Sequence, residues 1–493
     1  MDNDKGNTPI HGKNVFQEVK YSQVNQATDE IKRPDTLFLY FTFMTVMLTA
    51  IVCGTMLVWT SPAIVKLESN DTNINPLGRP IKSYELSKFM GIKGILSLVI
   101  SLFLPKLADL IGRKMSIFWM AVIIYIGLIG LAFSKNVNVM TAFSVVSSAA
   151  VIGLLSMIPM YLTEICEDHN RAKFICLMGV FIPVGELCTF IIGPMFSYKI
   201  FTIILAAPLI PFMVLFFLAP ESPVYSLHNG RKEKCIQAIK KLRKNKTEAE
   251  LEQDFFKIKE SLEYTDKSKG FNFRKLFGTK EGRLGIFMAF IPMFVQHISG
   301  FPAIMTLLAP IFNEFGSDIS GDTVAICVGV VKVILGIITS MTVERFGRRP
   351  LCLISAVGAG LPIFLLGIFF YLKYINSPLV YQYSWVPLVC ILIYTLFISI
   401  GLGPIPMTLV NEMFSSDIRS TGCAFVMTLG FLDITILISV YPIVAELIGT
   451  HWCMWTFGIC CMIGTIIIYF VVPETKGKSV VEIQQLLKNY KLL

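Results

Sequence analysis

Residues 109–114 read DLIGRK, and residues 344–349 read ERFGRR. An acid, a glycine and two cations recur in the same order, 235 residues apart. Two further pairs follow. Glu164 and Arg171 stand seven apart, as do Glu412 and Arg419, 248 residues later. PESP (220–223) is answered by PETK (473–476) at an offset of 253. One charge motif is weak evidence. Three, in one order and at nearly constant offset, describe a chain written twice.

Composition says what is duplicated. Of 493 residues, 54% are hydrophobic and 16% charged, where a soluble chain would be about a quarter charged. The apolar residues fall into runs of about 20, enough to cross a hydrocarbon layer of about 30 Å as helices. Twelve spans are read, at 37–65, 86–108, 115–134, 139–165, 172–197, 200–219, 284–310, 322–343, 350–372, 385–411, 421–447 and 450–472. Lipid offers no partner for a free backbone N–H, and the runs are too long for barrel strands. The expectation is an all-α membrane protein of twelve transmembrane helices in two pseudo-symmetric six-helix halves. Its parts are a leader at 1–36, a first half at 37–219, a linker with amphipathic helices at 220–283, a second half at 284–472 and a tail at 473–493. The first apolar run begins more than thirty residues in, so no cleaved signal peptide is expected.

Basic residues orient the bundle. From His228 to Arg283 there are 16 Lys and Arg against 9 Asp and Glu, most of the net +9 of the chain. Cations stay on the cytoplasmic side, which places the linker and both termini inside. The charge is topological and implies a lipid bilayer as partner, not nucleic acid. The connection 66–85 then faces out and carries Asn70-Asp71-Thr72, a glycosylation acceptor. The twelve cysteines lack metal-ligand spacing and read as packing residues. GKS (477–479) lacks the upstream glycine of a nucleotide loop. No catalytic set, cofactor or obligate protein partner is implied.

The duplicated motifs sit at cytoplasmic helix ends, where Asp109, Arg113, Glu164, Arg171 and Glu221 can form charge-assisted bonds. Glu344, Arg348, Glu412, Arg419 and Glu474 can do the same in the second half. Gly112 and Gly347 permit a tight turn. Pairs made in one state and broken in another would form a cytoplasmic gate. Positive-inside signals and static clamps would use the same residue types; the ordered duplication favours the gate.

These motifs, with GLGPIPM (401–407) and PETKG (473–477), resemble the sugar porter family of the major facilitator superfamily, over roughly 37–480. Within it, WTSPAIVKL (59–67) resembles the insect facilitated trehalose transporters. The resemblance implies an alternating-access carrier with a central site between the halves, whose charged motifs hold the cytoplasmic side shut when the outer side is open. It also explains QHISGFPAIM (296–305), a polar island in an apolar run. In the family, Q-Q-x-S-G-x-N of the seventh span lines the sugar cavity. Gln296, Ser299 and Gly300 match, His297 replaces the second glutamine, and Pro302 stands where an asparagine is usual. Met407 replaces a usual tryptophan, Lys332 a usual asparagine and Gly179 a frequent glutamine, and Asp433 lies near an asparagine position.

Lys93, Glu186, Lys332 and Asp433 lie well inside apolar runs. An unpaired ion there costs about 2.5–3.5 kcal/mol on insertion scales, so pairing of Lys332 with Asp433 or Glu186 is expected. Lys93 can instead reach the interface. The first span contains no acid, whereas proton-coupled relatives carry one there. Three functions follow: facilitated transport of trehalose or a hexose across the plasma membrane, carriage of an anionic or less hydroxylated solute with Lys332 as counter-charge, or solute sensing without transport.

Overall fold

The computed structural model describes residues 35–266, 273–315, 319–342, 347–415, 417–478 and 480–489. Among them the secondary structure is helical throughout. Eleven helices are long and apolar enough to cross a membrane, from Leu37–Val58 to Thr450–Val471. Their outward faces expose large apolar side chains such as Ile126, Val214, Leu361, Ile466 and Phe470, as a surface facing hydrocarbon requires.

The twelfth crossing is the seventh in order, and it departs from the continuous run expected at 284–310. It is broken into Lys280–Ile298, Phe301–Thr306 and Leu308–Phe315. The cause is local. Gly300 adopts φ +86°, outside helical space, and Pro302 sits in the first turn of the next segment, where its missing N–H costs nothing. Smaller interruptions follow Val58, Ala206 and Ile400.

Helix packing repeats the duplication. The first span (Leu37–Val58) packs on the fifth (Asp168–Met195), as the seventh packs on the eleventh (Arg419–Ile448). Gly54 and Gly185 make the first of these crossings close. A Cβ on either would lie 2.0 Å from a carbonyl oxygen of the other helix. The two most extensive packings between the halves are the second span (Ser83–Ser101) on the eleventh, and the fifth on the eighth (Gly321–Thr342). The duplication exchanges these two interfaces.

The bundle has a linker end, carrying the duplicated motifs, and a loop end, carrying 68–82. At the loop end Ser61 Oγ accepts from the Ala309 amide at 3.0 Å, and Ser87 Oγ donates to the Ser439 carbonyl at 2.5 Å. Both bonds cross between halves. Nearer the middle, a Cβ on Gly94 would meet Thr435 at 2.3 Å. The 68–82 loop is organised by Asn75, whose Nδ2 donates to the carbonyls of Leu67, Ser69 and Arg79. Asn70 is exposed on it.

The linker helices Lys232–Leu242 and Glu248–Asp266 are amphipathic, with Cys235, Ile239 and Phe255 forming a small separate core. Arg243 and Lys246 reach Asp254 at 2.6 and 2.9 Å, and Lys246 reaches Glu167 at 2.6 Å. This network fastens the linker to the turn before the fifth span.

Candidate functional site

The motifs at the linker end form two matching clusters. In the first half, Arg113 Nε donates to Glu164 at 3.2 Å and Arg113 Nη1 to Asp109 at 3.0 Å. Ser222 donates to the other oxygen of Glu164. Glu221 accepts from the Lys114 amide at 2.9 Å, capping the third span (Arg113–Phe133). In the second half, Arg348 Nη2 donates to Glu412 at 3.0 Å and Thr475 Oγ1 to the other oxygen of Glu412 at 2.6 Å. Glu474 accepts from the amides of Arg348 and Arg349 at 3.0 and 3.2 Å, capping the ninth span (Arg348–Tyr374).

Each of these contacts stays within one half. Burial raises the Glu474 carboxyl, but the amides of Lys476, Arg348, Arg349 and Thr475 more than offset this and leave it below the ordinary glutamate value. The two glycines serve the caps. A Cβ on Gly112 would stand 2.4 Å from Glu221, and one on Gly347 would stand 2.5 Å from Glu474. Only Gly112 has positive φ, at +102°; Gly347 is at −70°, which any residue adopts. The seven-residue spacings resolve differently. Glu164 and Glu412 serve Arg113 and Arg348, while Arg419 Nε donates to the Phe414 carbonyl at 3.4 Å and the Arg171 amide to the Glu167 carbonyl at 2.9 Å. Glu344 lies outside the described residues.

The second group lies around the break in the seventh span. Lys332 is ion-paired with Glu186, joining the eighth span to the fifth across the two halves. Its ammonium also stands 5.3 Å from the ring centroid of Phe301, the first residue after the break. Of the two partners expected for Lys332, Glu186 takes it. Asp433 turns instead to His297, whose Nδ1 is hydrogen-bonded with Oδ1 at 2.6 Å. Asp433 Oδ2 is buried without a hydrogen-bond partner among the described residues.

Ser299 is fully buried. It donates to the Gln296 carbonyl at 2.6 Å, and its own carbonyl accepts from Tyr394 at 3.1 Å. It therefore holds the break closed from behind. Gln296 is half-buried on the helix before the break. Met407 is 49% exposed on Ile405–Glu412, a segment that packs on Lys280–Ile298. A Cβ on Gly179 would meet nothing within 4 Å, so that face of the fifth span borders open space.

Sequence reasoning missed Tyr394 and Phe301, which lack any charge signal in an aromatic-rich chain. It also missed Ser61 and the hydroxyls of Ser222 and Thr475. The last two were legible, since a hydroxyl follows the glutamate in both PES and PET.

Residues 46–487 match the family model for sugar (and other) transporters. The chain is 29% identical over 505 residues to facilitated trehalose transporter Tret1-1 of Drosophila sechellia, covering 96% of this chain and 56% of that protein. It is 29% identical over 432 residues to facilitated trehalose transporter Tret1 of Bombyx mori, covering 87% and 83%. The chain thus spans about half the length of the fruit-fly relatives it matches. Among solved structures, the inward-open xylose transporter XylE of E. coli overlays with a TM-score of 0.75 at 20% identity, over 91% of this chain and 99% of that one. XylE bound to 6-bromo-6-deoxy-D-glucose overlays at 0.70 and 21%, over 92% and 100%. At such identities the likeness establishes the fold, that of the major facilitator superfamily. The duplicated clusters, the helix order and the match across 46–487 lead to one conclusion: the chain belongs to the sugar (and other) transporter family, as a multi-pass membrane protein.

Proposed function

We propose that the protein is a facilitative carrier of trehalose or a hexose, working by alternating access. The observation that carries this reading is the paired interface between halves. The second span on the eleventh and the fifth on the eighth are exchanged by the duplication, and they flank a polar break at Ser299-Gly300. Two similar bodies joined at exchangeable interfaces can rock between two arrangements about a central site. Solute contacts are assigned to Gln296, His297, Lys332, Met407 and Asp433, with Ser299 as support for the break. The division at 219/220 and 283/284 follows, with the linker and tail as accessories.

The linker end is assigned to the cytoplasm of a plasma-membrane protein on its positive charge, with both termini inside and Asn70 outside as a glycosylation acceptor. In this conformation the loop-end bonds of Ser61 and Ser87 are made, so solute would enter from the linker end. The Arg113 and Arg348 clusters then form the cytoplasmic gate as preassembled units that meet when the bundle rocks. The first span carries no acid, and uniport is the mode this supports.

Surface-expressed protein should give saturable uptake of labelled trehalose or glucose, independent of a proton gradient. No uptake of either sugar, from protein demonstrated at the surface, would refute the reading.

A further inference from the structure

We infer that the Glu186–Lys332 pair is a charge filter that selects uncharged, hydroxyl-rich solutes, with its two ions supplied by opposite halves. The inference deepens the sugar reading above and rests on it. Four charged side chains lie well inside the spans: Lys93, Lys332, Glu186 and Asp433, two of each sign. Only Glu186 and Lys332 make an ion pair between halves among the described residues there.

Their position is defined by the fifth span. Glu186 follows Gly179 by seven residues, two helical turns, and so lies on the same face. At Gly179 that face borders open space; at Glu186 it is closed, with 5% of the residue exposed. The next residue, Leu187, and Phe190 one turn further on lie against Gly329 of the eighth span. The pair thus stands two helical turns from the open space at Gly179, where the fifth span packs on the eighth and the two halves come together. Phe301 presents its ring to Lys332 from the broken segment of the seventh span.

A matched pair in such a place does two things. It offers a hydroxyl both an ammonium donor and a carboxylate acceptor. It also presents no net charge, so a charged solute must leave one partner with an uncompensated neighbour of like sign. Removing one ion should reverse that preference. Glu186→Gln leaves Lys332 as a lone cation, and Lys332→Met leaves Glu186 as a lone anion.

The test uses the full chain in proteoliposomes with four probes: glucose, trehalose, glucuronate and glucosamine held in its ammonium form. The unaltered protein should favour the neutral sugars over both charged ones by about tenfold or more. Glu186→Gln should shift the glucuronate-to-glucose ratio upward by about tenfold, and Lys332→Met should do the same for glucosamine. Thermal stabilisation by each probe in detergent gives the same ratios without requiring transport. Where a single variant fails to fold, Glu186→Asp keeps the charge but draws it back by one methylene. It should relax discrimination by a smaller factor.

Uniform loss across all four probes with unchanged ratios would overturn the inference and leave the pair a structural tie. Absence of any neutral-sugar transport or stabilisation in the unaltered protein would instead defeat the sugar reading on which it rests.

Discussion

The Thr475 hydroxyl donates to Glu412 at 2.6 Å, on the carboxylate that also holds Arg348 at 3.0 Å. Ser222 makes the same bond to Glu164, which holds Arg113 at 3.2 Å. The duplication is thus chemical as well as topological. In each half an arginine, two glutamates and a hydroxyl tie three helix ends into one unit, so each half can move as a body.

Arg348→Ala leaves Glu412 with Thr475 as its remaining side-chain partner among the described residues. The loss should cost about 1–3 kcal/mol of stability, the penalty for stranding a partly buried charged group. Uptake should fall at least about tenfold, with Arg113→Ala behaving alike. Melting of purified protein, read beside surface-normalised uptake, checks both. Unchanged uptake in either variant would separate these clusters from the transport cycle.

The two motif glycines should differ. Gly112→Ala meets both Glu221 at 2.4 Å and a backbone at φ +102°, ψ 158°, a region costly for any side chain. Gly347→Ala meets only the Glu474 carboxylate at 2.5 Å, with ordinary backbone. The first should be the more destabilising by about 1–3 kcal/mol. Equal melting temperatures would contradict the backbone argument.

Gly179→Gln should be tolerated. A side chain there enters open space, and removing a mid-helix glycine favours the helix by about 0.5–1 kcal/mol. Stability should hold or rise slightly while solute affinity changes. Loss of folded protein would mean that the face is packed.

Acid should release the linker only late. Burial raises the Asp254 carboxyl, but Arg243 at 2.6 Å and Lys246 at 2.9 Å hold it below the ordinary aspartate value. A lowered folded-state pKa contributes stability above the unfolded value, about 3.9, and loses it as pH falls through the lower folded value. Hydrogen exchange in Lys232–Leu242 and Glu248–Asp266 should stay protected from neutral pH down to about 4, and Asp254→Asn should expose both helices at neutral pH. Loss of protection between pH 7 and 5 in the unaltered protein would contradict this.

The spans and the duplication were legible because both are written in residue type. Runs of apolar residues reveal helices, and a repeated acid–glycine–cation string reveals the halves. The break at Gly300 was harder to read, since a glycine and a nearby proline inside an apolar run also suit a merely kinked helix. Partner choice was legible in part. The cost of mid-span ions demanded pairing for Lys332, but only the packing of the fifth span on the eighth brings Glu186 to it. His297 captures Asp433 because Lys280–Ile298 packs on Arg419–Ile448 within one half. The Ser61–Ala309 bond joins residues 248 apart and depends on how the halves sit.

Carriage of a neutral sugar without proton coupling separates the proposed uniporter from a proton symporter. Its most direct test is uptake of labelled trehalose and glucose into cells expressing the full chain, with and without a proton gradient, beside a control carrying Arg113→Ala and Arg348→Ala. The expected result is saturable uptake that ignores the gradient and is lost in the control. Uptake that collapses with the gradient, or no uptake of either sugar by protein shown to reach the surface, would contradict the account.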